Sequence, residues 1–247
     1  MTTVTRENED SAVPETPPGG GESLRFRHGI RICASFTAVV GFIALLGWIT
    51  GKLEIASLGS GKIPVAPSTA LMLVLYAAAL FFRTYNNHRV ANLAGLSINV
   101  AGALVSISLL LLASQGIRSN LEHLGFTIID TTGKTPIGHM SPITAFCFLL
   151  ASLSYLSMVP APAIRPWRAV VAYLLAGILM TANFLFVLAY LYGTPLFYGG
   201  IFIPPAALTC MAFLALGIAL ATLAFLHGRR SFQSVEPFNR TSYYLLF

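Results

Sequence analysis

Two histidines stand beside acids in one polar stretch of a chain that is otherwise mostly apolar. His123 follows Glu122, and His139 comes after Asp130, all within SQGIRSNLEHLGFTIIDTTGKTPIGHM. Imidazole and carboxylate side chains together can take a transition metal or change charge near neutral pH. His123 and His139 are therefore the candidates for sensing at an outer loop. Their separation follows no regular ligand spacing, so no metal is expected. His28, His88 and His227 sit among arginines at the edges of apolar runs, where a solvated interfacial ring is expected. Cys33, Cys147 and Cys210 lie far apart inside apolar stretches with no CxxC, as small hydrophobes do. No nucleophile, base and oxyanion donor can be grouped, and no phosphate loop is present, so neither an enzyme nor a cofactor is expected.

The elements that must carry these residues are membrane helices. Of the 247 residues 55% are hydrophobic and only 10% charged, well under the roughly 25% charged fraction of a soluble domain. The net charge of +6 does not make a nucleic-acid binder, because the basic residues lie in small groups between apolar runs and not on one reading face. Six such runs approach the roughly 20 residues that a helix needs to cross a bilayer. They are residues 30–50, 67–82, 91–113, 142–159, 169–192 and 205–226. None has an Asp, Glu, Lys or Arg in its interior, Arg31 standing at the very start of the first run, which argues against an ion-coupled pathway. The runs are continuous and do not alternate, which excludes a β-barrel. The expected fold class is thus an all-α polytopic membrane protein with six transmembrane helices. Arg25, Arg27, Arg31, Arg83, Arg89, Arg165, Arg168, Arg229 and Arg230 fall on one side, and Lys52, Lys62, Arg118 and Lys134 on the other. That asymmetry places both termini in the cytoplasm. Residues 1–24, polar and rich in Pro, Gly and Thr, read as a disordered cytoplasmic tail. Residues 231–247 read as a second tail or the start of a further segment.

Within the spans a pattern recurs. KIPVAPSTALMLVL, GHMSPITAFCFLL and FIPPAALTCMAFLAL each combine proline, threonine and an apolar run. Pro67, Thr69, Pro142, Thr144, Pro205 and Thr209 are read as a structural helix-start motif, because proline suits a first turn and a hydroxyl can accept from a free N–H. Four residues after each threonine comes a large apolar side chain, Leu73, Phe148 or Phe213. Before each outer loop stands a glycine, Gly51, Gly116 or Gly193, preceded in the first and last units by Trp48 and Tyr190. The chain is expected to be three helical-hairpin repeats, about 30–83, 91–159 and 169–226.

The motifs GHMSPITAFCFLL, APSTALMLVL and LAYLYGTPLFYG, in this order, resemble the N-terminal multi-pass membrane input region of bacterial sensor histidine kinases and diguanylate cyclases. The resemblance spans about residues 25–230. It implies a non-catalytic sensory input module of the bacterial inner membrane, acting on a cytoplasmic kinase or cyclase by helix repacking, and a homodimer within the lipid bilayer. SFQSVEPFNRTSYYLLF, after Arg230, carries no phospho-acceptor box, ATP lid or cyclase loop, so the expectation is a truncated receptor or a stand-alone module acting through a partner. The alternatives are a small channel or transporter, or an accessory subunit of a membrane complex.

Overall fold

A computed structural model describes residues 20–57, 63–85, 89–117, 120–126, 138–159, 166–193 and 204–233. Among them are seven α-helices and no strand: α1 (Gly20–Ile49), α2 (Leu53–Ser57), α3 (Pro67–Tyr85), α4 (Arg89–Ser114), α5 (Pro142–Ser157), α6 (Pro166–Leu191) and α7 (Ala207–Gln233). A 3-10 turn covers Asn120–His123. Proline opens α3, α5 and α6, where its missing N–H is no loss. α1, α4 and α6 each stop just before a glycine in the left-handed region: Gly51 at φ 69°, Gly116 at 70° and Gly193 at 69°. Only glycine takes that turn without strain. α1 begins at Gly20, within the stretch expected to be tail.

The long helices close into a ring. α1 packs on α3, α3 on α4, α4 on α5, α5 on α6, α6 on α7, and α7 returns to α1. Near the ends of that last seam the Phe26 and Phe225 rings meet, 5.7 Å between centroids. The outgoing helices lie outside and the returning ones inside. In the spanning stretches of α3 and α7, 56% of residues are buried, against 39% in α1, 28% in α6 and 22% in α4. Val90, Leu93, Leu104 and Leu111 of α4 and Leu174, Ile178 and Leu185 of α6 are exposed. Such a surface would drive aggregation in water, but is neutral against lipid tails.

Five helices are long and apolar enough to cross a membrane: those over Leu24–Ile49, Pro67–Thr84, Val90–Ser114, Trp167–Leu191 and Ala207–Arg229. The remaining expected span, α5, has 16 residues, about 24 Å at 1.5 Å each, short of the roughly 30 Å hydrocarbon core. Its limits have local causes. Ser141 caps its start, accepting from the Thr144 N–H at 3.1 Å, and the prolines after Val159 cannot continue it. Its far end is served by neighbours: Arg83 of α3 donates to the Met158 carbonyl at 2.5 Å and Arg168 of α6 to the Leu156 carbonyl at 3.4 Å. Arg31 of α1 does the same for α3, at the Thr84 carbonyl, 3.1 Å away. Basic residues that signal orientation in the sequence thus also satisfy terminal carbonyls of adjacent helices.

Phe148 and Phe213 meet edge to face at the centre, 4.7 Å apart, and Tyr76 lies 5.2 Å from Phe148. Leu73, Phe148 and Phe213, the large residues four positions after the three threonines, are all fully buried. Some of the buried polar residues of the spans join helices. Thr37 of α1 donates to the Ala212 carbonyl of α7 at 3.3 Å, and Ser154 of α5 to the Ala172 carbonyl of α6 at 2.8 Å.

Candidate ligand site at one end of the bundle

At the loop ends of the ring, three hairpins are closed by two kinds of bond. In the first, the Trp48 indole N–H donates to the Val65 carbonyl at 2.7 Å. In the last, the Tyr190 hydroxyl donates to the Pro205 carbonyl at 2.7 Å. Each aromatic lies three residues before its glycine, and each acceptor four residues before its threonine. The middle hairpin has Ala113 at the aromatic's place, which cannot donate. There the Met140 N–H donates to Glu122 Oε2 at 2.6 Å, so a carboxylate from the 3-10 turn takes over the tie.

Thr69, Thr144 and Thr209 are all buried in the first turns of α3, α5 and α7. The first helical N–H bonds are alike, running from Ala70 to Ala66, Ala145 to Ser141 and Cys210 to Ala206 at 2.9–3.0 Å. Pro67 and Pro142 open their helices, whereas Pro205 lies two residues before α7 and serves as the acceptor for Tyr190. A hydroxyl cap occurs only where Ser141 precedes Pro142; the corresponding residues elsewhere are Ala66 and Ala206.

The carboxylate tie assembles the sequence-predicted histidines. His139 Nδ1 faces Glu122 Oε2 at 3.7 Å, and its Nε2 lies 3.2 Å from Nε2 of His123. The two rings are nearly perpendicular, 4.4 Å between centroids. One tautomer set serves both contacts: His139 keeps its proton on Nδ1, toward Glu122, and accepts at Nε2 from His123. Burial and the nearby His139 charge push the His123 pKa below the ordinary imidazole value, while Glu122 opposes them. Among the described residues no group of three or more His, Cys, Asp or Glu is placed to hold a metal. Glu122 approaches the Nδ1 edge of His139 and not the space between the two Nε2 atoms. Asp130, the fourth residue of the sequence candidate, lies outside the described residues. The cluster can therefore bind and release protons, and its hydrogen bond needs at least one neutral ring.

Below the cluster a groove of about 750 Å³ runs between α3 and α4, roofed by Glu122 and Leu124. Leu124 takes φ 50°, followed by Gly125 at 82°. The left-handed leucine costs roughly 1 kcal/mol, and the turn it makes carries the roof over the groove. Phe126 then reaches across to Trp48, 6.1 Å between ring centroids, so residues 120–126 join the first hairpin to the second. At the groove's inner wall, Tyr76 sits in a notch left by Gly102, where a methyl group would collide with the ring. Its hydroxyl is hydrogen-bonded to Ser152. Gly95, one heptad earlier on α4, leaves the same kind of notch for Tyr155. The reading of single motifs missed Tyr76, Leu124 and these glycines. The seven-residue spacing of Gly95 and Gly102 was the available signal, since small residues on one helix face admit close neighbours.

No family model, curated protein or solved structure matches the chain. Fold and site define its class, a multi-pass helical membrane protein whose lipid-facing apolar helices surround a packed interior and carry a Glu122–His139–His123 cluster at one end. What that cluster serves is a question for its own residues.

Proposed function

We propose that the chain is a sensory input module of the bacterial inner membrane, not itself catalytic, which passes a signal from its outer end to a cytoplasmic kinase or cyclase through helix repacking. In this reading it crosses the bilayer six times as three hairpin repeats, with both termini inside, and works as a homodimer. The observation that carries it is the bridging position of residues 120–126, tied to the second hairpin by Glu122 and Met140 and packed on the first by Phe126 and Trp48. A change of charge or occupancy there acts on the α3–α4–α5 seams. Arg83 links α3 to the far end of α5, so a shift of these helices reaches the opposite membrane face. Such signalling requires a stimulus with different affinity for two arrangements. Support for the repeats comes from the like backbone of Gly51, Gly116 and Gly193 and the like burial of Leu73, Phe148 and Phe213.

The test is a fusion of the chain, at a series of joints after α7, to a cyclase domain, assayed in cells while external pH is varied. A cyclase output that follows pH and changes in His139→Ala, with expression unaltered, is expected; Thr144→Val should instead lower assembly. Equal output at every pH and joint, or specific solute flux through liposomes holding the isolated chain, would overturn the reading.

A further inference from the structure

We propose that the α3–α4 groove is a binding site for a single-chain amphiphile with a primary ammonium head group. The groove opens sideways to lipid, because its lining residues Leu75, Leu104 and Val105 are exposed on the outer surface of the bundle. It extends along α4 from Ser97 to Leu112, about 22 Å at 1.5 Å per residue. That is longer than half of a roughly 30 Å hydrocarbon core, the reach of one long alkyl chain and not of a compact ligand. A volume of about 750 Å³ lies within the usual range for small-molecule sites.

The head group follows from the outer end. Among the described residues Glu122 is the one carboxylate in the lining, and its side chain is 10% exposed. An ionised carboxylate only accepts hydrogen bonds, so the head must donate; a cation does so most strongly. A phosphate or carboxylate head would meet like charge in a poorly hydrated place. Glu122 Oε2 also accepts from Met140 and faces His139, which holds the carboxylate in place at the end of the groove. The apolar chain supplies affinity, and the carboxylate selects the head. Binding is a property of the isolated chain, and the inference stands whether or not the chain signals.

The experiment is equilibrium binding of radiolabelled hexadecylamine, hexadecanol and palmitate to the purified full chain in a neutral detergent at pH 7.5. Wild-type protein should bind the amine about tenfold more tightly than the alcohol, as one charge-assisted hydrogen bond warrants, and palmitate more weakly than either. In Glu122→Gln the amide oxygen can still accept from Met140, so the cap remains and the amine should fall to the level of the alcohol. Ala101→Trp, on the lipid side of the lining, should fill the groove and abolish both. Val170→Trp, exposed on α6, should bind as wild type. Absence of amine binding, palmitate equal to the amine, an amine preference that survives Glu122→Gln, or amine binding that survives Ala101→Trp would each overturn the proposal.

Discussion

Phe148 and Phe146 lie two residues apart on α5, yet their truncations should differ by about a hundredfold in the folding equilibrium. Phe148 is fully buried and packs against the rings of both Phe213 and Tyr76, whereas Phe146 is 49% exposed toward lipid. In a soluble protein both substitutions would forfeit transfer free energy. In a bilayer, with the unfolded reference still inserted, the ring stays in an apolar medium, so only packing is lost. Removing a phenyl group leaves a cavity of about 100 Å³, which at ~24 cal/mol per Å³ costs about 2.4 kcal/mol. Two lost ring pairs add about 0.5 kcal/mol each. Phe148→Ala should thus destabilise by about 3.4 kcal/mol, and Phe146→Ala by less than about 0.5 kcal/mol. Reversible unfolding in bicelles measures both. Equal losses for the two would refute the premise that packing, and not burial from water, stabilises this bundle.

Removing the donors of the hairpin ties, by Trp48→Phe or Tyr190→Phe, should cost about 1 kcal/mol each and expose the Val65 or Pro205 region to faster proteolysis. Arg83→Met should destabilise by about 2 kcal/mol, losing the bond to the Met158 carbonyl and the stacking on Tyr155; Arg83→Lys recovers part of that in the same unfolding assay. His123 has a lowered pKa in the fold, so the unfolded chain binds more protons there. Its contribution is whole above about pH 6.5 and is lost as pH falls through the lower folded value. Hydrogen exchange at the Phe126 N–H, which donates to the His123 carbonyl, should therefore show less protection at pH 5.5 than at 7.5, once corrected for the intrinsic rate. His123→Gln should flatten that difference.

Much of the helical layout is legible in the residues, because lipid requires long unbroken apolar runs and little else imposes them. The spacing of Trp48 before Gly51 and of Tyr190 before Gly193 marks the C-terminal ends of α1 and α6. It does not tell that both rings donate to the loop beyond. That bond depends on how far the returning chain comes back, a tertiary property. α5 is shorter than the other long helices because Ser141 and the prolines after Val159 bound it. The His123 and His139 pair can be picked out by residue type. The third partner is harder, since Glu122 is placed by a 3-10 turn and a left-handed Leu124 that follow no period. Pro205 misled for a like reason: a proline near a helix start serves as well for its carbonyl as for its ring.

The contact between α7 and α1 has a topological consequence. The seam that closes the ring is the one adjacent pair of long helices not joined by a loop, and Phe26 against Phe225 brings the start of the first near the finish of the last. Chain order around the circle is therefore arbitrary. Linking residue 233 to residue 20 with a short flexible segment, and cutting between α5 and α6, would keep every packed seam. A circular permutant built that way should recover the same bundle, with its new ends on the face where the old ones lay.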